Sequence, residues 1–348
     1  MKHLKDVLVG LRPQIPESLL AGEGWDRLVA RVGVLPAAAA SACGFELRLG
    51  IPAPSADFSL AVGREPVVKY YIAQGEHADP ASPEAWLKRY LTGETESGSW
   101  IEGLLLGYDL VDASGECPAD CPPAVNLRLT PTHRLRQAGF TPDLLGTTLE
   151  HAVGRSGGHC ERGAVGRAFD ALPPGASIVF AAAAPDRPET VKLVVSRIPA
   201  ADAGAFAARL GWTGSVPALS KLLSGMRDVS SGFMISIDLT ADGALPGLGL
   251  EIYPEYASDS HDDGTLLTTW LRTTAKDWHD LTRRLVSMKL CLPTKALGLL
   301  SWPKHTKVFS RTGVYRLYMG INHVKMIIDG EDLSAKAYAG LELLPLAR

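Results

Sequence analysis

A pair of alternating strands recurs about five times along this chain, and in four copies a basic residue stands near the middle of the second strand. Those second strands read Val67-Val68-Lys69-Tyr70-Tyr71-Ile72, Val125-Asn126-Leu127-Arg128-Leu129, Val191-Lys192-Leu193-Val194-Val195, Leu250-Glu251-Ile252-Tyr253 and Ala335-Lys336-Ala337-Tyr338-Ala339. Side chains alternate between the faces of a strand, so Lys69 and Tyr71, Asn126 and Arg128, Glu251 and Tyr253, and Lys336 and Tyr338 each share a face opposite the aliphatic residues. One face is apolar, and the other carries cations and phenols. An open antiparallel sheet with its polar face in water accounts for the alternation. That is the ordinary meaning of alternation, and alternation alone favours it over a closed barrel with the apolar face under helices and the polar face turned inward. Helices recur between the hairpins, and a repeated unit of this kind favours the barrel.

Composition sets the outer limits. At 348 residues with 46% hydrophobic content the chain has ample material for a large core. The formal net charge is -3, and Lys and Arg are dispersed singly, which excludes the massed basic surface of a nucleic-acid binder. The basic start, Met1-Lys2-His3-Leu4-Lys5-Asp6, runs into Arg12, Pro13 and Pro16 too early for a signal peptide. No apolar run approaches the roughly 20 residues of a membrane span. The expectation is a soluble, cytoplasmic protein without nucleic-acid or membrane partners. Five cysteines do not make a disulfide framework. Cys117, Cys121, His159 and Cys160 have zinc-ligand chemistry but loose spacing in loop-like sequence, so they read as reduced and incidental, with no metal site.

Along the chain, Trp25, Leu28, Val29 and Val32 share one helix face within an N-terminal helical segment over 1–50. Asp57 to Val62 alternates, turns at 63–66 and pairs with the Lys69 strand. Ser82 and Pro83 open a helix. The second hairpin pairs 101–111 with 124–129, the third 177–183 with 190–198, the fourth 233–240 with the Tyr253 strand, and the fifth 315–328 with 336–343. Helical patterns fall at 144–153, 165–172, 201–210, 216–225, 266–288 and 294–300. No composition break marks a linker, so residues 1–348 read as one domain. Closing about ten strands removes the sheet edges and leaves an interior wide enough for a ligand.

These hairpins resemble those of the ABBA-type aromatic prenyltransferases, and are closest in flavour to the cyanobactin peptide prenyltransferases. The phrases that carry the likeness are Val191-Lys192-Leu193-Val194-Val195-Ser196-Arg197-Ile198-Pro199 and Leu250-Glu251-Ile252-Tyr253-Pro254-Glu255. The resemblance is best over hairpins three and four and weak over the N-terminal helices and 113–175. It implies an α+β fold, a ten-stranded antiparallel barrel built from five α-β-β-α-like units. It also implies transfer of an isoprenoid from an allylic diphosphate to an aromatic or heteroatom nucleophile of a peptide or an indole-type compound. A non-catalytic barrel that binds a peptide or anionic ligand as partner of a peptide-modifying enzyme is the second reading. Lys69, Arg128, Lys192 and Lys336, with Lys325 added from the neighbouring strand, would hold the diphosphate. Ionised donors bind phosphate oxygens strongly and stabilise the leaving group. Tyr253 and Tyr338 would shield the carbocation, since aromatic faces attract cations. Asp57, or Glu46 after it, would serve as base or acceptor anchor. Glu251 would face magnesium or the acceptor. His323, two residues from Lys325 and on its face, reads either as a donor to phosphate or proton shuttle, or as a histidine bonded within the barrel wall. No cofactor is implied as required, and Mg2+ is admitted as a companion of the diphosphate. The acidic run Asp259-Ser260-His261-Asp262-Asp263 reads as a solvated turn.

Overall fold

In the computed structural model the alternating segments close on themselves. The structure describes residues 3–63, 65–79, 82–95, 100–110, 122–130, 140–154, 160–230, 232–254, 275–310 and 313–346. One eleven-stranded antiparallel sheet contains β1 (Cys43–Arg48), β2 (Ala56–Ala61), β3 (Ile101–Tyr108), β4 (Ala124–Leu129), β5 (Ser177–Ala184), β6 (Arg187–Ser196), β7 (Gly232–Leu239), β8 (Ala244–Tyr253), β9 (Lys304–Ser310), β10 (Gly313–Asp329) and β11 (Asp332–Pro345). Neighbours follow chain order from β1 to β8. β8 then pairs with β10, β10 with β11, and β11 returns to β1 with Cys43 opposite Leu341 and Arg48 opposite Lys336. Ten strands thereby close a barrel. β9 lies outside the ring, on the stretch of β10 from Gly313 to Met319, end to end with β8 along the same edge.

The alternation sorts the side chains. Val191, Leu193 and Val195 of β6, Ile235, Ile237 and Leu239 of β7, and Leu248, Leu250 and Ile252 of β8 are all buried on the outer surface of the ring. Helices cover that surface: α1 (Leu4–Leu11), α2 (Gly22–Val32), α3 (Glu65–Gly75), α4 (Pro83–Leu91), α5 (Pro142–Ala152), α6 (Cys160–Ala171), α7 (Ala203–Arg209), α8 (Val216–Met226), α9 (Ala275–Ser287) and α10 (Pro293–Leu300). Leu145 and Leu149 of α5 and Leu281 and Leu285 of α9 join the strand residues in one apolar cluster. Each such side chain contributes about 1.5–3 kcal/mol by leaving water. Three helices start at a Ser or Thr followed by Pro or one residue before it. Ser82, Thr141 and Ser215 each accept a hydrogen bond from the amide three residues on, at 3.2, 3.3 and 3.2 Å. The main core therefore lies between barrel and helices, and the barrel's inner face carries the charged and phenolic residues beside a small apolar patch.

The first hairpin differs from the expectation. Residues 67–72 are not a strand but part of α3, and the hairpin is β1 with β2. Glu65-Pro66 is a helix start, and Val67, Tyr71 and Gly75 are buried at a spacing of four. A six-residue apolar run fits either period, and here the helix start decides. Lys69 consequently sits on the solvent side of the helix, 72% exposed and 2.6 Å from Glu65, and its expected place among the inward cations is corrected. β9 was not anticipated. Cys117, Cys121, His159, the 259–263 run and the start of the helix expected over 266–288 lie outside the described residues.

Candidate active site

A cavity of about 270 Å³ lies inside the barrel, and Glu46, Asp57, Lys192, Glu251, Tyr253, His323, Lys325 and Tyr338 all line it. Their meeting follows from the register. Glu46 stands opposite both Asp57 on β2 and Tyr338 on β11. Lys325 stands opposite Glu251 on β8 and Lys336 on β11, and Lys192 opposite Asp238 on β7. Residues scattered over the sequence thus become direct cross-strand neighbours.

Each inward cation meets a partner. Lys336 pairs with Glu46 and does not itself line the cavity. Lys192 lies 3.8 Å from Asp238, and Arg48 lies 3.5 Å from Asp57. Lys325 donates to Ser236 Oγ at 2.7 Å. Gly249 makes room for that ammonium, because a Cβ there would stand 2.3 Å from Lys325 Cε. Arg187 and Asp109, also lining the cavity, pair at 2.7 Å. Arg128 is on the inward-facing side of β4 but 3.6 Å from Glu102, and it does not line the cavity.

These contacts set the protonation states. Burial pushes Glu46 upward, but the charge of Lys336 and hydrogen bonds from Lys336 and Tyr338 outweigh it, so the carboxyl lies well below the usual range. Asp57 goes the other way: burial and the neighbouring charge of Glu46 raise it to about 6, against the Leu110 amide, which donates at 2.8 Å, and the charges of Lys336 and Arg48. Burial and the charge of Lys192 lower Lys325 to about 8. Burial, followed by the charges of Glu46 and Glu251, raises the Tyr338 phenol far above its ordinary value, so it stays a neutral donor.

The aromatic wall is continuous. His323 stacks on Tyr338 with centroids 4.2 Å apart and planes at 17°, and its ring lies 5.1 Å from Tyr253. Tyr253 OH donates to Glu251 Oε2 at 3.4 Å. Beside it, Val179, Val194 and Met234 form a small apolar cluster separate from the main core, packed by Phe180 and Tyr253. The cavity therefore offers ammonium donors, carboxylates, aromatic faces and an apolar patch within one enclosure. Sequence reasoning missed Arg48, Ser236, Asp238, Asn322 and the Arg187–Asp109 pair. Ser236 and Asp238 alternate with the core residues of β7, which was the available signal for them.

No protein-family model matches the sequence, and no curated protein matches it. Solved structures do share its fold. A 6-dimethylallyltryptophan synthase from Micromonospora olivasterospora, in complex with DMASPP and Trp, is 15% identical over 97% of each chain with a TM-score of 0.53. The prenyltransferase PriB, in ternary complex with L-tryptophan and dimethylallyl thiolodiphosphate, is 16% identical over 97% of this chain and 96% of its own, also at 0.53. A further 6-dimethylallyl tryptophan synthase is 14% identical over 99% and 98%, at 0.51. At this identity the likeness is one of fold.

Proposed function

We propose that this chain, which has the barrel fold of the ABBA-type aromatic prenyltransferases, transfers an isoprenyl group from an allylic diphosphate to an electron-rich aromatic acceptor, with indole-type compounds first and aromatic peptide side chains second. The observation that carries the reading is the juxtaposition of Lys192 and Lys325 with Tyr253 and Tyr338 around one enclosed cavity. Ammonium groups suit the departing diphosphate, and the phenol faces suit the allylic cation left behind. In this reading Lys192 and Lys325 hold the donor directly, and Lys336, paired with Glu46 beside the cavity, adds its charge. Arg128 stands at the margin and Lys69 takes no part. Glu46 and Asp57 face the N–H or O–H of the acceptor, Glu46 as a fixed anion and Asp57 as the one able to take a proton near neutral pH. Among the described residues no group of three or more His, Cys, Asp or Glu is placed to hold a metal ion. No described helix is long and apolar enough to cross a membrane.

The test is a thermal-shift screen with dimethylallyl, geranyl and farnesyl diphosphates, followed by mass spectrometry with indole and tyrosine-containing acceptors. Stabilisation by one donor and a mass gain of one prenyl unit on an acceptor are expected. Calorimetry on Lys192→Ala is expected to show markedly weaker diphosphate binding, and unchanged affinity would remove Lys192 from the donor site. The second reading, a non-catalytic binder, draws on the carboxylate partners of Lys192 and Lys336, which make the inner face less cationic than a free anion cage. Donor binding without product from any acceptor would favour it.

A further inference from the structure

We infer that His323, rather than a carboxylate, takes the ring proton during carbon-prenylation, with Glu251 holding the imidazolium that results. This rests on the prenyl-transfer reading and assigns the step which that reading leaves open.

The backbone supplies the first observation. β10 breaks register against β11 between Ile321 and His323, so Asn322 is an extra residue in the strand. Strict alternation would send Asn322 and His323 to opposite faces, yet both line the cavity. Bulges re-aim side chains in this way. Here the bulge brings Asn322 Oδ1 to 2.7 Å from His323 Nδ1. An N–H on Nδ1 donates to that oxygen, which leaves the lone pair of the neutral ring on Nε2.

Nε2 is buried and has no hydrogen-bond partner among the described residues, although His323 is only 8% exposed. Buried polar atoms are rarely left so. Glu251 Oε2 stands 3.7 Å away. A carboxylate gains nothing from a neighbouring lone pair, but it stabilises a proton placed there. The stack on Tyr338 and the approach to Tyr253 put Nε2 at the wall against which a carbocation and an acceptor ring would lie. Glu46 is engaged by Lys336 and Tyr338, and Asp57 by Arg48 and the Leu110 amide. Asp238 Oδ1 also lacks a hydrogen bond, but it faces the Lys192 ammonium at 3.8 Å rather than the aromatic wall. Burial and the charge of Lys325 lower the imidazole pKa, while Glu251 and Glu46 oppose the shift, so the ring is neutral and ready to accept at neutral pH.

The step balances. The allylic C–O bond breaks and its pair leaves on the diphosphate, while ring π electrons form the new C–C bond. The C–H bond at the substituted carbon then breaks. Its pair restores the aromatic ring, and the proton passes to Nε2. A nitrogen or oxygen acceptor loses its N–H or O–H proton instead, on the side of Glu46 and Asp57, and has no need of His323.

The experiment compares wild type, His323→Gln, Asn322→Leu and Glu251→Gln, using an indole deuterated at the substituted carbon and a phenol that is prenylated on oxygen. In His323→Gln, carbon-prenylation is expected to slow by about 100-fold or more. It should also acquire a deuterium effect on kcat that wild type lacks, because deprotonation becomes limiting, while oxygen-prenylation, which shares the aromatic wall but not this proton transfer, should lose at least about tenfold less. Asn322→Leu, which frees the tautomer without removing the ring, should show the same pattern with a smaller loss. Carbon-prenylation at the wild-type rate in His323→Gln, or equal losses on carbon and oxygen, would overturn the inference. Nitrogen NMR of the full chain gives a readout independent of turnover. A neutral ring protonated on Nε2, or a His323 titration that Glu251→Gln does not lower, would also overturn it. If wild type forms no product from any donor and acceptor, the prenyl-transfer reading fails and the proton role with it, whereas the NMR result still decides whether the His323–Glu251 pair exists.

Discussion

Asp57 is held more tightly protonated in the native barrel than in the unfolded chain. Burial, followed by the charge of Glu46, raises it from 3.8 to about 6. The native state therefore binds more protons between those values, so stability falls as pH rises through that window and stays lower above it. Two pKa units correspond to about 3 kcal/mol. Asp57→Asn is expected to stabilise the protein by about 1–3 kcal/mol at pH 7.5 and to leave it nearly unchanged at pH 4. Urea titrations at the two pH values check this, and prenylation of a nitrogen or oxygen acceptor should fall by about 100-fold in the same variant. Lys325 titrates on the other side of neutrality, at about 8. Affinity for an allylic thiolodiphosphate is expected to fall as pH rises through that value. Lys325→Arg should retain affinity at pH 9, because a guanidinium stays charged there. Calorimetry at pH 7 and 9 separates the two. At this scale much was legible. Lys192, Lys336, Tyr253 and Tyr338 carry the period-two signal that turns them inward. The cross-strand partners Asp238 of Lys192, Ser236 of Lys325 and Arg48 of Asp57 were not, because register is written in no single strand.

α3 and the bulge in β10 show where local pattern stops deciding. Residues 67–72 satisfy a strand template over six positions, and only the Glu65-Pro66 start and the burial of Tyr71 and Gly75 reveal the helix. Lys69→Ala is accordingly expected to leave diphosphate affinity within about twofold, whereas Val67→Asp, which buries a charge without a partner, should cost several kcal/mol in a urea melt. The bulge has no sequence signature. Its effect is felt through Asn322, which alternation alone sends to the opposite face from His323. Gly249 acts within β8 by what it lacks. Gly249→Ala is expected to weaken diphosphate binding without removing any charge, since the added methyl occupies the space of Lys325 Cε, and calorimetry beside Lys325→Ala would show whether the two losses overlap rather than add.

The whole molecule depends on a closure between distant parts of the chain. β11 pairs with β1 across about 290 residues, and α10 reinforces the joint, with Lys295 Nζ donating to the carbonyls of Arg48 and Ala53 at 2.7 and 2.8 Å. Trp302, two residues past the end of α10, donates to Gly340 O at 3.2 Å and meets Phe45 edge-on at 5.6 Å. Trp302→Ala is expected to cost about 3–5 kcal/mol, with far-UV and near-UV signals lost in one transition. The repeat of hairpins and helices made the barrel readable from sequence. β9 was not, because Lys304 to Ser310 lies outside the repeat, with Phe309 76% exposed. The pairing of Lys336 with Glu46 and of Lys192 with Asp238 has a consequence for the sequence of events in turnover. An arriving diphosphate must compete with anions the barrel already owns, so its gain is an exchange of partners and its affinity is modest. The displaced Glu46 then loses its ammonium and turns its lone pairs to whatever enters next. The acceptor should accordingly bind more tightly once the donor is seated, making the reaction an ordered one in which the first guest prepares the seat of the second. Acceptor titrations with and without pyrophosphate measure that coupling, and independent affinities would show that Glu46 never changes hands.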